Sequence, residues 1–194
     1  SYIFSKFFIN HLSSQNHHSI REVALIALQR YINFMSIGLN DFFPKICEGC
    51  ILAIQSDDPE LILQGLKTLT TAITSIEFDE KFINPIYKIL ISILQSNSMF
   101  MEEAVLALSK LLEVAEDDLI PYFQEIIQYL YQATQIEDNI SPILKGESIE
   151  ALARIISISP YETDSIVQSY FQILMKYIMR TIKISSETDI STSD

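Results

Sequence analysis

Four stretches decide the reading of this chain: Ala24-Leu25-Ile26-Ala27-Leu28, Gly65-Leu66-Lys67-Thr68-Leu69, Ala104-Val105-Leu106-Ala107-Leu108 and Ser148-Ile149-Glu150-Ala151-Leu152. In each, a small residue and an apolar one are followed, three residues on, by a closing leucine. Those leucines stand 41, 39 and 44 residues apart. Self-similarity at this period marks a helical repeat, in which each unit is a helix pair. Each stretch also sits in a longer helical pattern. Val23, Ala24, Ala27, Leu28 and Tyr31 recur at helical spacing. Leu61, Gly65, Leu66, Leu69, Ala72 and Ile73 do the same, followed by Val105, Leu108, Leu111, Leu112 and Ala115, then Ile149, Leu152, Ile155 and Ile156. The small residues have a physical purpose: they let one helix approach its neighbour closely.

A second helix follows each time. Its start is marked by Asn40-Asp41 before Phe42-Phe43-Pro44, by Asp79-Glu80 before Phe82, and by Glu116-Asp117-Asp118 before Leu119-Ile120-Pro121-Tyr122-Phe123. In the fourth unit it is marked by Pro160-Tyr161-Glu162-Thr163-Asp164. Acidic residues there cap free N–H groups and offset the positive end of the helix dipole. Proline is tolerated in a first turn, where its missing N–H costs nothing. For the first helices, Ser19-Ile20-Arg21-Glu22 fits a capping box, and Asp58-Pro59 and Ser141-Pro142 each join an N-cap to Pro at the first helical position.

The expected fold is therefore all-α: a right-handed α-solenoid of about four HEAT-type helix pairs. The units are placed at about 19–55, 58–95, 98–134 and 142–182, after a leading helix at about 2–12. Residues 1–184 form the repeat segment and the polar residues 185–194 a tail or linker. Such units cannot bury their apolar faces alone, so stacking them makes one continuous core. Leu25 and Ile26 lie off the face of Ala24 and Leu28, where a neighbouring unit is expected to cover them.

Composition agrees. The 194 residues are 48% hydrophobic, enough for a sizeable core, and only 4 Gly and 6 Pro leave little material for a turn-rich β fold. The net charge of −12 disfavours direct nucleic-acid binding, which needs clustered Lys and Arg, and favours basic proteins as partners. No run reaches the roughly 18 apolar residues of a membrane span, so no membrane partner is expected. No secretory leader is visible, and the start lacks Met and reads as mid-helix, so we take the chain as a segment of a longer protein.

The family resemblance is carried by residues 101–123. Met101-Glu102-Glu103-Ala104-Val105-Leu106-Ala107-Leu108-Ser109-Lys110-Leu111-Leu112-Glu113-Val114-Ala115, followed by Asp118-Leu119-Ile120-Pro121-Tyr122-Phe123, resembles the middle of an importin-β (karyopherin-β) receptor. In that family such a helix leads into one that opens with an apolar-Pro-Tyr-aromatic turn. Leu144-Lys145-Gly146-Glu147-Ser148-Ile149-Glu150-Ala151-Leu152-Ala153 resembles the next repeat in the importin-four and importin-five subgroup, and Arg21-Glu22-Val23-Ala24-Leu25-Ile26-Ala27-Leu28 is similar to an earlier one. The resemblance implies a nuclear import receptor shuttling between cytoplasm and nucleus. It would bind basic cargo proteins, such as histones or ribosomal proteins, together with phenylalanine-glycine nucleoporins and the Ran GTPase. The chain departs from a full receptor in its length, in lacking the amino-terminal repeats that usually hold Ran, and in having no Trp. The other reading is a static HEAT scaffold of a phosphatase or chromosome-associated complex. The uneven unit lengths fit importins better.

No enzyme activity and no cofactor are expected, because no GxGxxG, P-loop or GxSxG motif is present. Cys47-Glu48-Gly49-Cys50 is the sole metal-like motif, and zinc wants four ligands. His11, His17 and His18 could complete a site, but the simpler reading makes the cysteines small packing residues one turn apart, with no metal bound. Most aromatics of the second helices, Phe42-Phe43, Phe82, Tyr87, Tyr122-Phe123, Tyr129, Tyr131, Tyr170-Phe171 and Tyr177, are expected in the core, with some left as binding anchors. In importins the second helices form the inner surface, so the resemblance selects acidic residues there as protein-binding candidates: Glu48, Asp118 and Glu125. Glu48 and Glu125 lie past the first turn of their helices, where capping does not account for them.

Overall fold

The structure, a computed structural model, describes residues 2–13, 15–35, 38–96, 99–135 and 141–158, together with the helical positions Gln168, Phe171, Gln172, Met175 and Met179. Tyr2, Phe4, Ser5, Glu116, Thr134 and Gln135 are described by their backbone alone. Among these residues every regular element is a helix and none is a strand. The elements are α1 (Tyr2–Asn10), α2 (His18–Met35), α3 (Phe43–Ile54), α4 (Pro59–Ser75), α5 (Ile83–Gln95), α6 (Met101–Val114), the single turn α7 (Glu116–Leu119), α8 (Phe123–Gln135) and α9 (Pro142–Ile158). Of the expected second helix at 162–182 only Gln168, Phe171, Gln172, Met175 and Met179 are described, each as helical and exposed; the rest of it, the turn at 160–164, the tail at 185–194 and the side chains of Tyr170 and Tyr177 lie outside the described residues.

The helices pack in a regular order. α2 lies against α4, α4 against α6, and α6 against α9. On the other side α1 lies against α3, α3 against α5, and α5 against α8. Between the two rows α3 packs on α4, α5 on α6, and α8 on α9. One buried apolar cluster runs from Ile9 to Ile155. The closing leucines Leu28, Leu69 and Leu108 are fully buried in it, and Leu152 nearly so.

Small residues set the distance between helices. A Cβ added at Gly65 of α4 would stand 3.0 Å from Ala53 Cβ, 3.0 Å from Ile54 Cγ1 and 3.2 Å from the Cys50 carbonyl oxygen. Glycine there lets α3 lie directly on the α4 backbone. Gly49 does the same for the end of the α1 segment, where an added Cβ would come within 2.5–3.2 Å of three Leu12 side-chain atoms.

Some helix ends follow the sequence, among them Asp79, whose carboxylate accepts from the Lys81 N–H at 3.2 Å, and others depart from it. Asp58 caps α4, its carboxylate accepting from the Glu60 and Leu61 N–H groups at 3.0 and 3.2 Å. Ser141 Oγ accepts from the Ile143 N–H at 3.2 Å ahead of α9. The expected capping box at Ser19 is not formed. α2 starts at His18, and the Ser19 N–H donates to His17 Nδ1 at 3.3 Å, so an imidazole occupies the place intended for the serine. Asn40 does not cap its own turn either. Its amide donates to Glu77 Oε2 at 2.7 Å and accepts from the Glu77 N–H at 3.4 Å, which ties two successive connections together. Val23, grouped by spacing with the apolar face of α2, points outward instead.

Three short 3-10 turns lead into α3, α5 and α8: Asn40–Phe42, Glu80–Phe82 and Ile120–Tyr122. Each ends in an aromatic residue, and the next residue, Phe43, Ile83 or Phe123, is buried. Corresponding residues of successive turns are separated by 40 positions.

Candidate protein-binding surface

The candidate surface is formed by α3, α5 and α8. Their buried sides carry Phe43, Ile46, Ile86, Leu90, Ile126 and Leu130. What remains outside is Lys45, Glu48 and Leu52 on α3, Asn84, Pro85, Lys88, Ser92 and Gln95 on α5, and Gln124, Gln128 and Gln132 on α8. This outer strip is rich in amides and mixed in charge, with one carboxylate against two lysines. Exposed carboxylates at the connections that precede the second helices are Asp41, Glu77, Glu80, Asp117 and Asp118, while Asp57, Glu60 and Glu150 are exposed elsewhere. Helix electrostatics favours those at the connections, since acids are stabilised where the backbone N–H groups are free.

The three candidate residues occupy three different elements, and no hydrogen bond or ion pair joins any two of them among the described residues. Glu48 is exposed on α3 and borders a cavity of about 290 Å³ between α3 and the end of the α1 segment, with Ile9, Leu12, Lys45 and Leu52 in its lining. Asp118 is exposed in α7 and does not cap it: Ala115 holds the N-cap position, and no side chain bonds there. Glu125 is half-buried in the first turn of α8, not past it as expected, because the helix starts only at Phe123 after a 3-10 turn; its carboxylate accepts a hydrogen bond from the Tyr87 hydroxyl of α5.

That bond belongs to a polar ladder between α5 and the α8 segment, which sequence reasoning did not find. Tyr122 stacks on Tyr87, with ring centres 4.4 Å apart and planes tilted by 31°. The Tyr122 hydroxyl donates to Asn84 Oδ1 at 2.8 Å. Gln95 Nε2 donates to the Tyr129 hydroxyl at 2.9 Å. Tyr87 is buried, and desolvation together with the neighbouring Glu125 carboxylate pushes its hydroxyl above the ordinary tyrosine range. The sequence did carry a signal for the ladder. Asn84 and Tyr122, like Tyr87 and Glu125, are separated by 38 residues, close to one unit.

The same period governs cross-links elsewhere. His18 Nδ1 meets Asp58 Oδ2 at 3.3 Å, Gln29 donates to Thr71 Oγ1 at 3.3 Å, Thr68 Oγ1 donates to the Leu25 carbonyl at 3.3 Å, and Arg154 donates to Glu113 at 3.2 Å. Their sequence separations run from 40 to 43 residues. Asp58, which serves both as cap and as partner of His18, titrates below the usual carboxylate range, chiefly because of the Leu61 N–H.

Cys47 and Cys50 are fully buried in α3 as free thiols, and desolvation raises both well above the usual thiol range. Among the described residues no three His, Cys, Asp or Glu side chains converge as a metal site would require. No helix is long and apolar enough to cross a membrane among these residues. Comparison with models of known protein families, with curated proteins and with solved structures returned no match.

Proposed function

We propose that the chain is a segment of a right-handed α-solenoid of about four HEAT-type helix pairs, and that it serves in a nuclear import receptor of the importin-β family. The observation that carries the repeat reading is the recurrence of the 3-10 turns at 40, 80 and 120, each opening a helix with an aromatic and a buried apolar residue. The family reading rests on the resemblance of residues 101–123 and 144–153. Under it the segment binds no substrate for chemistry. It presents the α3, α5 and α8 side to a partner, and the acidic connections draw a basic cargo protein toward it. Phenylalanine-glycine nucleoporins bind the outer surface, and Ran-GTP, held by repeats outside this segment, favours a curvature that releases cargo. The protein shuttles between cytoplasm and nucleus.

The static scaffold is the second reading, and the polar ladder favours it, because three side-chain links between α5 and the α8 segment resist a change of curvature. Binding separates the two. The immobilised chain is presented with core histones and with phenylalanine-glycine peptides at low and high salt. A receptor segment retains histones in a salt-sensitive way and captures the peptides. Retention of neither favours the scaffold and removes the import reading.

A further inference from the structure

Arg21 of α2 is the most deeply buried charge among the described residues. It is 4% exposed, and no described residue reaches its side chain with an ion pair or a hydrogen bond. Nε and Nη2 are wholly enclosed; Nη1, equally without a partner, is not. Enclosing a guanidinium without a partner is costly, and desolvation holds Arg21 below the ordinary arginine value. The position is interior to the segment. Three residues before it, His18 meets Asp58 at the start of α4, and four residues after it, the Leu25 carbonyl accepts from Thr68 of α4. Helix residues three and four apart share a face, so Arg21 lies on the face that α2 turns toward α4. Asp58 does not answer the charge, because its carboxylate is taken up by the Glu60 and Leu61 N–H groups and by His18. Aligned on the closing leucines, the same place holds half-buried Ile62 in α4, buried Met101 in α6 and half-buried Lys145 in α9. Apolar side chains serve there in two units, so packing alone does not call for a guanidinium.

We propose that the α2–α4 junction is a binding site for a small organic carboxylate, held by the Arg21 guanidinium. A helical side chain leans back over the turn that precedes its own Cα, which carries this guanidinium toward the first turn of α2, the positive end of the helix dipole. Both the fork and the dipole favour an anion there. The carboxylate meets Nη1 where it reaches the surface, and a turn of the side chain brings Nη2 to the same opening for the second of two parallel bonds. The charge of the ligand follows from its neighbours. With Asp58 on the same face and a net charge of −12 over the chain, a monoanion meets less repulsion than a doubly charged phosphate. Its size follows from the enclosure, since a single nitrogen at the surface leaves a narrow opening that suits a small acid.

Titration of the 194-residue chain with sodium acetate, sodium phosphate and sodium chloride at matched ionic strength tests this. Nuclear magnetic resonance follows the Arg21 Nε–H signal, assigned by its absence from Arg21→Met. Acetate is expected to shift that signal in a saturable way, and chloride to leave it in place. Thermal melts give a second readout, in which acetate raises the melting temperature of the parent above its value in chloride. Arg21→Met keeps the helix propensity and removes the unpaired charge, so in chloride it is expected to melt no lower than the parent, and the rise with acetate is expected to vanish. Arg21→Lys keeps the charge without the fork and should lose most of that rise. An equal response to acetate and chloride, a stronger response to phosphate, a rise with acetate that survives in Arg21→Met, or a lower melting temperature of that variant in chloride overturns the proposal. No cargo or nucleoporin enters these measurements, so their outcome is independent of the import reading.

Discussion

Tyr87 on α5 gives its hydroxyl hydrogen to Glu125 on α8, and the pair stands one unit apart in the sequence. The tyrosine is buried and the carboxylate half-buried, so the bond replaces water that neither group can fully recover. Removing the donor with Tyr87→Phe is expected to cost roughly 1–3 kcal/mol, toward the lower end because solvent reaches Glu125. Chemical denaturation of the variant against the parent checks this. The pH dependence has a definite sign. The folded state holds Tyr87 protonated above the ordinary tyrosine value, so its contribution is complete below pH about 10 and declines as pH rises beyond it. Tyr87→Phe should flatten that alkaline slope.

Two glycines make a matched test of close packing. Gly65→Ala would set a methyl group 3.0–3.2 Å from Ala53, Ile54 and the Cys50 carbonyl, and the carbonyl cannot step aside. The crowding, about 1–3 kcal/mol, is expected to exceed the roughly 1 kcal/mol that alanine returns in helix propensity. Gly146→Ala meets nothing within 4 Å in α9 and should stabilise the chain by about 0.5–1 kcal/mol. Opposite shifts of the melting temperature confirm the pair of expectations; equal shifts refute the packing of α3 on α4.

Leu108 is fully buried in α6, a helix that touches α4, α5 and α9. Leu108→Ala should cost about 2–5 kcal/mol, as truncation of a core leucine does. Because neighbouring units share their interfaces, hydrogen exchange should speed up in α4 and α9 as well as in α6. A loss of protection confined to α6 would contradict this.

Cys47 and Cys50 should be inert in the folded chain. Their thiols are buried and held protonated by desolvation, whereas the thiolate is the reactive form. A thiol-specific chromophoric reagent is expected to label neither at neutral pH and both after denaturation. Elemental analysis after chelator treatment should find no zinc; one tightly held ion per chain would refute the packing role.

The sequence announced its helices through periodicity and its strongest caps through chemistry. Asp58-Pro59 was readable because a carboxylate followed by proline suits little else. Ser19 was misleading, since the serine in a capping pattern yields when a neighbouring ring nitrogen, here His17, already takes the N–H group. Spacing alone places Val23 with the core, because it gives a helix its stripe but not the width of that stripe. The amide ladder stayed hidden for another reason. Asn84 and Gln95 have no signature of their own, and they acquire a role only when α8 is laid beside α5. Glu48 and Glu125 looked alike in sequence for the same reason: burial and a tyrosine neighbour separate them, and both arise from tertiary contact.

Among the described residues, the hydrogen bonds named above between helices reach from 34 to 43 residues along the chain. No strut among them spans two units. Under tension from its ends, such a molecule yields one joint at a time, and each joint gives way without first loosening those farther along. The force record of a single stretched molecule should accordingly be a series of small, similar steps, each releasing about forty residues of slack.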